Sequence, residues 1–369
     1  MLTEWDDFLM HQIISTMDHV ESSDPRWHDR YWFHLGDLQG EVLLGVGMGV
    51  YPNLNVMDGF SVAAIEGAQH NTLVSRELGG DRDTKVGPLR IRVERGLRRI
   101  RLLLEPNDFE ISYDLVWDST MPPFEEQTHF QRRKGRVIRN NARYTQSGRF
   151  SGTLTVAGRT WEIDPERFWG VRDRSWGLRP GQGEPIPPMT AEQRQQFLGT
   201  LGFGLYHYNP VQFPDYSLFY MHNESPEGRV NVIDGGLRFP YDSDREDEVL
   251  RVTGIEHEME FEPGTARFRS GRVELTLRDG SVKRYSVRPI LPCFLGEGGY
   301  ADPERWHGSY RGKLVVEGHT NDLTDAKELD RLGYASDYFS EWRCDDGEVG
   351  YGQYEYLIGS STRLTSPTE

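Results

Sequence analysis

An all-β, mainly antiparallel fold of two tandem β-barrels, preceded by an N-terminal amphipathic helix, is what three features of the sequence predict. From Arg30 onward apolar residues recur with period two. Turn signals interrupt these runs at short intervals with no helical pattern between them, which favours antiparallel sheets that close or stack over a doubly wound parallel sheet. A proline-rich stretch from Leu178 to Gln196 divides the 369 residues into halves, each of a size for one barrel of about eight strands.

Each element has its own signal. Trp5, Phe8, Leu9, Ile13, Thr16, Met17 and Val20 recur at helical spacing, so Thr3 to Val20 reads as a helix docking on the body. Glu4, Asp6 and Asp7 give it an acidic polar face, unlike a signal peptide or a membrane-surface anchor. Strand candidates include "RYWFHL", "EVLLGVGMGVY", "GFSVAAIE", "FEISYDLVW", "YSLFYMHN" and "YGQYEYLIG". "SGTLTVAGRTWEI" reads as a hairpin turning at Ala157 to Arg159, and "RVELTLRDGSVKRYSV" as one turning at Asp279 and Gly280. The proline-rich connection places a boundary at residue 190, giving domains 1–190 and 191–369. "TDAKELDRL", from Thr324 to Leu332, reads as a short helix capped by Thr324 that closes the second barrel.

Composition narrows the function. A net charge of −16 repels phosphate backbones and argues against a nucleic-acid partner. No apolar run is long enough for a membrane span. The basic cluster from Arg132 to Asn140 reads as a solvated turn and strand edge. Cys293 and Cys344 lie far apart, suit neither a metal site nor a disulfide framework, and point to a reducing cytoplasm. The 11 histidines show no HxH or HExxH spacing, so no metal and no cofactor is expected. "GVGMGV" is followed by "YPNLN", which does not open the helix a dinucleotide needs. On a strand, Gly45, Gly47 and Gly49 share a bare face, for close packing against the N-terminal helix or as floor for a flat apolar ligand.

The chemistry concentrates in "RFWGVRDRSWGLRP", from Arg167 to Pro180. In an extended chain Trp169, Val171, Asp173 and Ser175 face one way while Arg172, Arg174 and Trp176 face the other. A barrel then takes a charge into its interior, which must be paired or functional. One reading is an ion-pair latch between the domains. The other makes Asp173 a proton donor, which requires a desolvated carboxyl with the arginines turned to the opposite face. His34, His207 and His222 lie in aromatic-rich strands, either lining a barrel or packed in its core.

"GTLTVAGRTWEI", "GVRDRSWGLRP", "GVGMGVYPN…DGFSV" and the closing "GYGQYEYLI" resemble the carotenoid hydratase and AttH-like superfamily. The resemblance implies two lipocalin-like barrels of calycin type joined near residue 190. It also implies a cofactor-independent hydratase, or related lyase or isomerase, that protonates a double bond of a hydrophobic isoprenoid or polycyclic substrate. On this likeness Asp173 is the proton donor, with Trp169 or Trp176 beside the resulting cation. Relatives carry histidine where this chain has Arg174. The candidate catalytic set is Asp173, Arg174 and His207. The candidate substrate wall is Trp169, Trp176, Arg172, His34, Tyr51 and His222. The rival from another class is a non-catalytic carrier of lipids or other hydrophobic small molecules.

Overall fold

The computed structural model describes residues 2–10, 13–17, 19–184, 193, 204–263, 265, 267–300, 304–333 and 336–359. The first half supplies β1 (Trp27–Asp37), β2 (Val42–Tyr51), β3 (Val56–Ile65), β4 (Ala68–Glu77), β5 (Lys85–Val86), β6 (Leu89–Arg95) and β7 (Arg99–Leu104). It continues with β8 (Ile111–Ser119), β9 (Phe124–Glu125), β10 (His129–Arg133), β11 (Arg136–Val156), β12 (Arg159–Ile163) and β13 (Phe168–Leu178). The second half supplies β14 (Leu205–Gln212), β15 (Ser217–Glu224), β16 (Val230–Arg238), β17 (Val249–Phe261), β18 (Phe268–Leu277) and β19 (Val282–Phe294). It ends with β20 (Leu314–Asp322), α1 (Ala326–Leu332), β21 (Ser336–Cys344) and β22 (Val349–Ile358).

Two barrel-like sheets result, as the period-two pattern requires. β14 to β19 with β21 and β22 form a closed eight-stranded barrel. The other sheet is nearly closed and runs β20-β4-β3-β2-β1-β13-β11-β8-β7-β6-β5, with β9, β10 and β12 pairing on β11. All of its pairings are antiparallel. Both expected hairpins form: Ala157 and Gly158 take positive φ between β11 and β12, and Gly280 does so between β18 and β19. Alternation sends Tyr31, Phe33 and Leu35 of β1 into the first core, with Trp117 and Phe150, and Tyr354 and Tyr356 of β22 into the second. A third cluster joins Trp32 and Phe60 of the first sheet to Cys293, Leu295 and Phe339 of the second half, and so marks the seam between the sheets.

The expected boundary at residue 190 lies outside the described residues. β20, from the chain's second half, is hydrogen-bonded along its whole length to β4 of the first sheet. The short helix is present, but Asp325 rather than Thr324 caps it, its carboxylate accepting from the Lys327 N–H at 2.9 Å. No described helix is long and apolar enough to cross a membrane.

The N-terminal amphipathic helix is corrected. Among the described residues of that stretch only Glu4–Asp7 is helical, a single 3-10 turn closed by Thr3 and Asp6. Trp5 is 72% exposed, and Met10, Ile13, Ile14 and Met17 are also exposed. The reason is ionic. Asp7 is wholly buried inside the first sheet, where both its oxygens accept from Arg172, at 2.5 and 3.1 Å, and Oδ1 also accepts from the Tyr144 hydroxyl at 2.6 Å. Its backbone carbonyl accepts from the Tyr31 hydroxyl. A helix running on from Asp7 would consume the carbonyls of Asp7 and Phe8 internally, whereas an extended chain delivers them to Tyr31 and Arg174 in the barrel.

Asp7→Asn leaves the Arg172 guanidinium buried without its counter-charge. The expected loss is about 3 to 5 kcal/mol, seen as a lower urea midpoint. Glu4→Gln, removing an exposed charge, should shift stability by less than about 0.5 kcal/mol. Equal effects of the two substitutions would show that the N-terminus is not held by the buried pair.

Candidate active site

The alternation of β13 sorts its charges. Arg172 and Arg174 point into the first sheet, where Arg172 meets Asp7 and Gln146 and lies over Trp117 at 4.6 Å. Arg174 pairs with Asp29, donates to the Phe8 carbonyl at 2.6 Å, and lies over Tyr31 at 5.0 Å. Both guanidiniums are fully buried. Asp173, between them, faces the seam and is half-buried, with no hydrogen-bond or ion-pair partner among the described residues. The buried ion pairs of β13 therefore run through Arg172 and Arg174 to Asp7 and Asp29 within the first sheet, so they do not latch one domain to the other and do not involve Asp173.

Neighbouring strands bring other polar groups to the same face. On β1, Trp32 is the register partner of Asp173, and on β11 Thr145 is. Two positions away on these strands are Arg30 and Arg143. Arg30 donates to Gln182 at 3.0 Å, contacts His307 Nε2 at 3.3 Å and lies over Tyr300 at 5.2 Å. Arg143 donates to Glu126 at 2.8 Å and lies over Tyr208 of β14 at 4.0 Å. The opposite wall is the outer face of the closed barrel. There the Gln353 amide donates to Asp337 at 2.8 Å and to Glu355 at 3.0 Å, while its carbonyl accepts from the Trp32 indole at 3.2 Å. One amide thus ties the two sheets together and sits between two carboxyl groups.

The electrostatics of this seam favour neutral acids. Burial pushes Glu355 up to about 7, an effect opposed by Arg143 and reinforced by the charge of Asp173. Glu126 is likewise pushed up to about 7 by burial against the pull of Arg143. Asp337 is raised well above the usual carboxylate range by burial and by Glu355. Asp173 is also raised by burial, but Arg143, Arg179, Arg30 and Arg174 draw it back down. Carboxyls held above their usual range in a buried seam are groups able to give and take a proton near neutral pH.

The candidate residues separate into three places. Asp173, His34, Tyr51 and Trp169 lie on the seam side of the first sheet. His34 is buried beside Trp32 and Phe339 and pushed down to about 3 by burial, a neutral imidazole with no hydrogen-bond partner among the described residues. Tyr51 donates to Gln182 at 3.1 Å, and so borders Arg30. Trp169 is four positions from Asp173 along β13 and packs edge-on to Tyr351. Arg172, Arg174 and Trp176 point to the opposite face, so the structure does not bring them together with Asp173. His207 and His222 lie inside the closed barrel, on the far side of its wall from Asp173. The bare glycine face of β2 packs against neither the N-terminal helix nor open space. A Cβ on Gly45 would stand 2.6 Å from Trp32, one on Gly47 2.4 Å from Phe60, and one on Gly49 2.7 Å from the Tyr51 hydroxyl.

Sequence reasoning did not single out Arg30, Arg143, Glu126 or Glu355. For Glu355 a signal was present: in "GYGQYEYLI" Gln353 and Glu355 alternate with tyrosines, so the strand carries polar groups on one face and barrel core on the other. The other three depend on which strands become neighbours.

A family model described as "Family of unknown function (DUF8625)" matches residues 2–364. No match is found among curated proteins. Among solved structures, kievitone hydratase from Nectria haematococca superposes with a TM-score of 0.52 at 14% identity, over 91% of this chain and 90% of that one. CghA, alone and with Sch210972, superposes with a TM-score of 0.45 at 12% and 11% identity, over 91% of this chain and 89% of those. At these identities the likeness to kievitone hydratase shows the fold, and the weaker CghA superpositions carry no argument.

An acid whose folded pKa stands above its unfolded value binds its proton first in the folded state. For Glu355 the stabilisation this gives is complete below about pH 4.5 and is lost as pH rises through about 7. Glu355→Gln, neutral at every pH, should match wild type near pH 5 and exceed it at pH 8.5 by on the order of 2 kcal/mol. Urea unfolding at both pH values measures this. A variant less stable than wild type at pH 8.5 would show that the carboxylate is held ionised by its arginines.

Proposed function

The chain belongs to the DUF8625 family, whose description assigns no activity, and from that premise we propose a hydratase, or a related lyase, acting on a hydrophobic small molecule in the seam between the two sheets. The observation that carries this reading is Asp173: half-buried, unpartnered among the described residues, and facing a wall on which Glu355 is pushed up to about 7. A structural carboxylate with four arginines in range would be expected to close on one of them. The motif resemblance to the carotenoid hydratase and AttH-like superfamily supports the same reaction class and an isoprenoid or polycyclic substrate.

The resemblance puts the transferable proton on Asp173. Burial raises both carboxyls, but four arginines oppose the rise at Asp173 while Glu355 is pushed up to about 7, which supports Glu355 as the proton's holder. In the hydration direction Glu355 gives its proton to one alkene carbon, and the positive charge develops on the other. Aromatic rings border the seam, Trp32 among them, and a ring face turned to that charge is worth up to about 2 kcal/mol when well placed and desolvated. A water molecule adds to the cation, and its surplus proton passes to Asp173. Dehydration runs the same steps backwards. Neither direction consumes an oxidant, a reductant or a metal ion.

Two measurements test this. Native mass spectrometry of the protein isolated from its own cells identifies a copurifying apolar molecule, and turnover of that molecule in water follows. With it in hand, Asp173→Asn should lower kcat by roughly two to four orders of magnitude while the urea midpoint stays near that of wild type. The wild-type rate should fall as pH rises through about 7, with loss of the Glu355 proton. Release of the molecule unchanged, with the same affinity in wild type and Asp173→Asn, would establish a carrier instead. A collapse in stability on Asp173→Asn would make the residue structural.

A further inference from the structure

The interior of the closed barrel holds a polar cluster that this chemistry does not use. β15 carries His222 and Glu224 two residues apart, so both side chains point into the barrel. β17 brings His257 to the same place, its Nε2 3.1 Å from Glu224 Oε1, while His222 Nε2 lies 3.7 Å from that oxygen. One donor atom from each of the three lies within 4.8 Å of the other two. Glu224 and His222 are almost completely buried. His207 stands against His257 with ring centres 4.8 Å apart, and its Nε2 is 3.1 Å from the Met259 sulfur.

We propose that His222, Glu224 and His257 form a binding site for a divalent first-row transition-metal ion such as zinc, enclosed in the second barrel and separate from the seam. Two donors each about 2.1 Å from a tetrahedral ion stand roughly 3.4 Å apart, and the observed 3.1 and 3.7 Å bracket that spacing. Two imidazoles and one carboxylate are a donor set that zinc, iron(II) and cobalt(II) accept, and that magnesium or calcium, which prefer all-oxygen shells, do not. Linear spacing hid the site: the ligands come from His-x-Glu on one strand and a single histidine on another, neither of which matches a zinc motif. A second group, Cys344, Asp346 and Glu348, does not qualify, because the Lys283 ammonium bonds both of its carboxylates at 3.2 Å.

The test begins with chelator-treated full-length protein titrated with Zn2+ alone, read by calorimetry and by elemental analysis after gel filtration. One equivalent is expected, with a higher thermal midpoint in the zinc-loaded protein. Co2+ substitution should give the visible absorption of a four- or five-coordinate ion. His257→Ala and Glu224→Gln should each weaken binding by about 100-fold or more, their near-UV circular dichroism showing the aromatic barrel intact. X-ray absorption of the wild-type zinc form needs no variant and should show scattering from imidazole ligands. Failure to retain zinc, retention undiminished in both variants, or a spectrum without imidazole scattering would each overturn the site.

Discussion

Two arginines taken out of water inside the first sheet fix what the rest of the molecule can do. A guanidinium in an apolar core is tolerated only with a carboxylate and further hydrogen bonds around it, and Arg172 and Arg174 find these in Asp7 and Asp29. Asp29 comes from the adjacent strand, but Asp7 must be carried in by the N-terminal segment. The segment therefore enters the barrel as an extended peptide after one turn, Leu9 joins the first core, and Met10, Ile13, Ile14 and Met17 beyond it are left outside. With both cations satisfied on one face, the pleat sends the intervening Asp173 to the other face, where the arginines are already engaged elsewhere or set back from it.

The seam is then shaped by close approach. Glycines at alternate positions of β2 let the rings of Trp32 and Phe60 lie against bare backbone, which thins the wall of the first sheet at the point where the second barrel docks. Trp32 reaches across to Gln353, and Gln353 in turn holds the two carboxyl groups of β21 and β22. The same residue that packs the interface thereby orients the acid. Substitutions that disturb the packing of Trp32 are bound to disturb Glu355 as well, so stability and chemistry share one hydrogen-bond chain.

Much of this could be read from residue alternation, and what could not has a common cause. The hairpins at Ala157 and Gly280, the β-rich class and the division of faces along "RFWGVRDRSWG" are local properties, set by period and turn chemistry. The N-terminal segment misled because its helical spacing is genuine, yet a buried ion pair 165 residues away in sequence outweighs a marginal amphipathic helix. Asp173 was identifiable as the residue to watch, but whether it was latch or acid depended on which way the arginines turned. Glu355 lies within the closing "GYGQYEYLI", but a glutamate beside tyrosines gains significance only when another sheet covers it. The pairing of β20 with β4, and the meeting of His222 with His257, rest on contacts no sequence window spans.

The strand exchange has a consequence for how the chain is made. β4 is complete once residue 77 has left the ribosome, but its partner ends at residue 322, which at about 5 to 20 residues per second arrives roughly 10 to 50 seconds later. Through that interval the first sheet offers an unpaired strand edge, the feature most prone to wrong pairing with a neighbouring nascent chain. The two halves are consequently not interchangeable modules: moved to another protein, the first would lack its last strand and the second would carry one with nothing to pair against.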